Sequence, residues 1–328
     1  MNMLECYGEL PDFLCRAAEA PPLRRLKEVG MNCGCEYTSF PMLGALAPYS
    51  RWEHSLGVAA IVWRFTRDPK QAMAGLLHDV ASPTFAHVID FLKGDYLRQE
   101  ATEAGTTRII DESMELQTAL SAMGLRTSDV CDYHRYPIAD NDTPRLSADR
   151  LEYTLGNLVN FGYRFRDDVA AYYADLAVGE NEAGEQELMF RSPARARGFA
   201  LDALRCSRVY VSDADRYAMQ ALANLLRDAV AAGVLSEDDF MGTEPRLLDK
   251  LCRHRDWADR WRDYCAMRAT RRSEAPDGAA GWMKIPAKKR CIDPMVRDVG
   301  RASALFPDFG DALAAFLAES QDYWVLGE

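Results

Sequence analysis

At 328 residues, with 48% hydrophobic and 27% charged side chains, the chain can bury a substantial core as one large domain or a domain with an appendage. Its formal charge of −11 disfavours extended contact with nucleic-acid backbones, which needs a basic surface, though not a phosphate held in a local basic pocket. Apolar runs such as VAAIVW are too short to cross a bilayer, MNMLECYGELPD lacks a signal-peptide pattern, and nine scattered cysteines without a CxxC pair suit a reducing compartment, so a cytoplasmic protein with no membrane anchor is expected.

Residues 1–30 read as helical and partly amphipathic, with Leu23, Leu26 and Val29 at helical spacing and Gly30 as the stop. The turn-rich stretch MNCGCEYTSFPMLGALAPYS predicts a short hairpin or an ordered loop. Its Cys33 and Cys35 are poorly spaced for zinc and read as buried or semi-buried free thiols. A helix is predicted from near Ser50 to about Phe65 on the stripe Leu56, Ala60, Val62, Trp63 and Phe65, with Arg51 and His54 on one face. Asp68 and Pro69 then start an interior helix, AMAGLLHDV, with His78 and Asp79 at its end. Ser82-Pro83 repeats that start signal for a third helix, TFAHVIDFL, whose His87 and Asp90 share a face.

Residues 95–135 continue helical and polar, without repeats. In SADRLEYTLGNLVN, Leu151, Leu155 and Leu158 form a core face, while Asp149, Arg150, Tyr153 and Asn157 occupy another. VGENEAGEQEL reads as a loop and lobe boundary, which divides the chain into a core at 1–175 and a C-terminal helical region at 176–328 packed on it. Further helices are predicted for SPARARGFALDALRCSRVY, for Ser212 to Gly233, for the charged stretch Lys250 to Arg272 and for FGDALAAFLAESQDYW; GAAGWMKIPAKKRCIDPMV could hold a short strand pair. The expected fold is all-α, with at most a short β-hairpin.

Two imidazoles and two carboxylates, His54, His78, Asp79 and Asp149, thus come from three separate helices. Nitrogen and oxygen donors without thiolate suit one divalent cation, Mn, Fe, Co, Ni, Mg or Zn, with open water positions. Such an ion can lower the pKa of bound water and polarise a phosphoryl oxygen. A single histidine on an apolar helix is more often a hydrogen-bonded core residue; the joint occurrence of H-S-L-G, G-L-L-H-D and S-A-D-R-L-E-Y is what points to a metal site.

RWEHSLGV, AGLLHDV, FAHVIDF and ADRLEY resemble the HD-domain metal-dependent phosphohydrolases, and within them the deoxynucleoside triphosphate triphosphohydrolase (dGTPase-like) branch, over about residues 20–240. The resemblance implies an HD-domain helical core with additional C-terminal helices and a metal ligated by His54, His78, Asp79 and Asp149. It also implies that Arg51, Arg150 and Tyr153 bind substrate phosphate and sugar, and that Asp90 positions a catalytic histidine. Guanidinium and phenol groups are sound phosphate partners on physical grounds as well.

Three positions depart from the branch. Ser82 stands where H-D-x-x-H has its second histidine, Ala101-Thr102-Glu103 is the nearest match to T-H-E, and Asn157 replaces an expected Asp. His87 is then the nearby imidazole left to protonate a leaving oxygen, with phosphate contact or core packing as its alternatives. His134, which could line the pocket, and His254 are too few for a histidine-rich two-metal site. The expected function is a nucleotide phosphohydrolase of dNTP triphosphohydrolase type, in which metal-activated water attacks the α-phosphorus and releases nucleoside and triphosphate. A nucleotide monophosphatase, or a nucleotide sensor that keeps its metal without turnover, is the alternative. The partner expected is a small nucleotide or phosphate ester, and relatives in the branch often form homo-oligomers.

Overall fold

A computed structural model of the chain describes residues 3–93 and 105–328. Among these residues helix dominates, in seventeen α-helical segments, none long and apolar enough to cross a membrane.

Prolines cut the first thirty residues into short helices, Leu4–Tyr7, Asp12–Ala18 and Pro21–Arg24, followed by a 3-10 turn at Arg25–Glu28. Their apolar side chains, Leu14, Leu23, Leu26 and Val29 among them, are buried as the spacing predicts. Residues 31–50 form an ordered loop closed at its base by a bridge between Gly30 and Ser50.

The Arg51–Thr66 helix opens on a capping box in which Ser50 Oγ accepts from Glu53 N and the Glu53 carboxylate accepts from Ser50 N. Asp68 caps the Pro69–Leu77 helix by accepting from Lys70 N at 2.9 Å, and the two helices pack together. The third helix starts later than its proline suggests, at Val88, and runs to Lys93. Phe85 and Ala86 adopt positive φ, 58° and 44°, so the chain turns tightly ahead of His87. The Ser82 hydroxyl, instead of capping, donates to Asp79 Oδ1 at 2.8 Å.

The described residues hold more β-structure than one hairpin, in seven strands: β1 (Leu176–Glu180), β2 (Gln186–Phe190), β3 (Thr270–Ser273), β4 (Met283–Lys284), β5 (Met295–Val296), β6 (Gly300–Arg301) and β7 (Trp324–Gly327). They form a four-stranded sheet, β1-β2-β5-β6, and a three-stranded sheet, β3-β7-β4. The acidic run that reads as a loop is therefore the β1–β2 hairpin. Its Glu187 is fully buried because Arg301 Nη1, 2.6 Å away on β6, neutralises it. The charged stretch expected as one helix divides into Glu244–Cys252, Arg255–Ala266 and β3, and the last helix, Pro307–Ala318, stops before β7.

Two large apolar clusters fill the interior. One surrounds the Arg51–Thr66, Pro69–Leu77, Ala148–Asn160 and Pro193–Tyr210 helices; the other surrounds the Asp213–Ala231 helix and takes in Phe85, Val88 and Phe91. Each draws residues from both sides of residue 175. Phe161 packs against both, and a cavity opens beside it where they meet.

Candidate metal centre

His54 comes from the first turn of the Arg51–Thr66 helix, His78 from the C-cap of Pro69–Leu77, and Asp149 from the first turn of the Ser147-capped Ala148–Asn160 helix. The structure brings all three together: their donor atoms lie within 4.8 Å of one another. His54 Nε2 is 3.2 Å from His78 Nε2 and 3.0 Å from Asp149 Oδ1, and His78 Nε2 is 3.8 Å from the same oxygen. Each Nδ1 faces outward to an acceptor, His54 to Glu152 Oε2 at 2.5 Å and His78 to the Gly75 carbonyl at 2.7 Å. In the neutral rings both Nε2 atoms therefore carry lone pairs, and two lone pairs so close beside a carboxylate suit a shared cation. The residues present fit a divalent metal.

Asp79 stands beside this trio, with Oδ2 3.6 Å from His78 Nε2 and 4.0 Å from His54 Nε2. It is gripped on both sides, by Arg51 Nη1 at 2.6 Å and by the Ser82 hydroxyl. Burial works against ionisation of Asp79, yet Arg51 and the two histidines outweigh it and hold the carboxyl far below the usual range. Without a cation, burial works against charge on His54, and Asp149 and Glu152 outweigh it, raising its pKa to about 10, so that binding a metal displaces a proton from this ring.

Glu152 is a residue that sequence reasoning passed over. It is wholly buried, orients His54, and accepts from the hydroxyls of Tyr49 and Tyr7. The signal was available, since Glu152 lies three residues after Asp149 on one helix and so on its face. The glycine of H-S-L-G makes room for it: a Cβ on Gly57 would sit 2.6 Å from Glu152 Cγ.

A cavity of about 770 Å³ opens over the donor trio. Arg51, His87 and Tyr153 line it as expected, and so does His134, whose Nδ1 is 2.9 Å from Asp140 Oδ2. His254 lies exposed at a helix start, away from this site. Arg51 keeps a buried Nε without a partner. Burial pushes the Tyr153 phenol up to about 12, so it remains a donor at neutral pH. His87 Nδ1 lies 2.9 Å from Asp90 Oδ2, and Asp90 is fully buried. Burial, with Arg290 and Arg51 nearby, lowers the His87 pKa despite that carboxylate.

Arg150 lines the cavity as well, and its guanidinium bonds Asp140, the Arg145 carbonyl and both oxygens of Asn141, fastening the 140–145 loop. Asn157 donates to the Tyr210 hydroxyl at 2.8 Å and leaves a buried Oδ1 without a partner. Ala101-Thr102-Glu103 lies outside the described residues.

Residues 51–137 match the family described as HD domain. The chain is 25% identical over 250 residues to the uncharacterized protein YdhJ of Bacillus subtilis, covering 75% of this chain and 73% of that one. It is 26% identical over 217 residues to the metal-dependent phosphohydrolase cns2 of Cordyceps militaris, covering 63% of this chain and 57% of the fungal protein, less than two thirds of its length. A hypothetical protein from Aquifex aeolicus, solved by crystallography, shares the fold with a TM-score of 0.64 over 93% of this chain and 91% of its own, at 17% identity.

Proposed function

We propose, on the premise that the HD domain and its donor set make this chain a metal-dependent phosphohydrolase, that its substrate is a nucleotide and that it acts as a deoxynucleoside triphosphate triphosphohydrolase. One observation carries the reading: the trio of His54, His78 and Asp149 opens onto the same cavity as Arg51, His87 and Tyr153. Its volume lies within the range of nucleotide-sized ligand pockets.

In this reading His54, His78, Asp79 and Asp149 hold the cation, which when bound supplies a Lewis acid and a water of lowered pKa. Arg51 stays charged beside Asp79 and lines the cavity, where its guanidinium meets a phosphate oxygen. The Tyr153 hydroxyl, protonated at neutral pH, donates to phosphate or sugar. Asp90 accepts from His87 Nδ1–H, which turns Nε2 toward the leaving oxygen. Arg150 shapes the rim through the 140–145 loop.

The test is a screen of the purified chain with Mn²⁺ against deoxynucleoside triphosphates, ribonucleoside triphosphates and monophosphates, with products resolved by ion-exchange chromatography. Nucleoside and triphosphate in equal amounts support the proposal. No turnover of any phosphate ester sinks it, and a rise in melting temperature without product assigns the protein to nucleotide sensing. A nucleotide monophosphatase is favoured by a specific feature: Ser82 holds Asp79 where the branch has a second histidine. That activity yields nucleoside and orthophosphate.

A further inference from the structure

The wall opposite the donor helices is an extended segment, residues 285–291, pinned on both sides of its cavity face. Arg216, only 1% exposed and bonded to Asp213, donates to the carbonyl of buried Ile285. Further along, Lys289 Nζ donates to the carbonyls of Leu317 and Glu319 at 2.6 and 2.5 Å, and Cys291 is buried. Between these anchors Arg290 reaches across the cavity to His87, its Nη2 3.4 Å from His87 Nε2. The charge of Arg290 also acts on Tyr153, Tyr210 and Asp215, which all line the cavity.

Besides its other contacts, Arg290 addresses the Nε2 lone pair that Asp90 leaves on a neutral imidazole, at the long end of hydrogen-bond distance. A phosphate oxygen in that place would be held more closely, with charge on both partners.

We propose that Arg290 is a phosphate-clasping residue of the active site, its guanidinium and that of Arg51 taking the substrate oxyanion from either side of His87. The ligand class is a phosphate monoester or polyphosphate. When the fork turns to the oxyanion, the His87 Nε2 lone pair is released to take the proton of the attacking water, and the imidazolium so formed passes that proton to the leaving oxygen. The inference rests on the phosphohydrolase reading and extends it to a residue far from the HD motif.

Isothermal titration of the full chain with inorganic phosphate, with and without Mn²⁺, tests it without turnover. Arg290→Gln is expected to weaken phosphate binding by about tenfold to a hundredfold, at unchanged metal content and melting temperature. Arg290→Lys, a charge without the fork, should recover part of the loss. Equal phosphate affinity in wild type and Arg290→Gln overturns the proposal, as does a wild type that binds no phosphate. Should Arg290→Gln melt early, Arg290→Lys decides: weakened binding supports the clasp and unchanged binding overturns it. Phosphate held through Arg290 by a chain that hydrolyses no nucleotide keeps the clasp and removes the nucleotide substrate. Nucleotide turnover with a wild-type KM in Arg290→Gln does the reverse.

Discussion

On one wall of the cavity, three of the four metal-donor side chains are locked by a buried partner: His54 by Glu152, His78 by the Gly75 carbonyl, Asp79 by Arg51 and Ser82. On the wall opposite, the 285–291 segment belongs to no helix or strand, and bonds from Arg216 and Lys289 to backbone carbonyls tie it to the rest of the fold. The first wall fixes ligand geometry in advance, which a metal site requires. The second can shift by small side-chain movements, which suits recognition of a substrate that enters and leaves. Chemistry and recognition are thus built on scaffolds of different stiffness.

The largest effect should come from removing a donor. His78→Ala is expected to reduce bound metal, measured by elemental analysis, to background and to lower hydrolysis by roughly a thousandfold or more. Full metal occupancy in that variant would show that His78 is a core histidine. The next largest should come from behind the donors. Glu152→Gln keeps the shape and an acceptor for His54 but removes the charge, and about a tenfold to hundredfold loss in metal affinity is expected. Gly57→Ala should approach the same loss by displacing Glu152. Titrations indistinguishable from wild type in both variants would break the contrast in stiffness between the walls.

The two walls were also unequally legible in the sequence. On the donor wall the information is local: Ser50, Asp68 and Ser147 cap helices as their chemistry dictates, and helical spacing puts His54, His78 and Asp149 near helix ends that meet. His87 and Asp90, three apart, do touch, although His87 precedes its helix rather than riding on it. That late start was hidden because Phe85 and Ala86 are not residues that announce positive φ. Glu187 reads as a solvated acid until Arg301, 114 residues on, is seen to cover it. Arg290 had no local signal either, since its contact with His87 spans 203 residues. Long-range pairing of this kind leaves no periodicity to read.

A smaller effect should sharpen the description of the donor wall, since its rear is not uniformly satisfied. Behind the Gly30–Ser50 bridge, Glu244 accepts from Gly30 N at 2.8 Å and from the Tyr37 hydroxyl at 2.9 Å, while Glu36 keeps a buried Oε2 without a partner. Burial, and then the charge of Glu244, push the Glu36 carboxyl up to about 8. In the unfolded chain the group returns to about 4.3. Between those values the folded protein holds a proton that the unfolded chain has lost. The stability contributed is therefore fully present below about pH 4.3 and declines as pH rises toward 8. Glu36→Gln replaces the neutral acid with a group that does not titrate, so its melting temperature should fall less between pH 5 and 8, by roughly 2–4 °C. Other buried groups titrate in both proteins, and the difference between the two slopes isolates Glu36. Parallel slopes would mean that Glu36 is ionised in the fold and that a cation reaches it from solvent, in which case the rear of the donor wall is open rather than sealed.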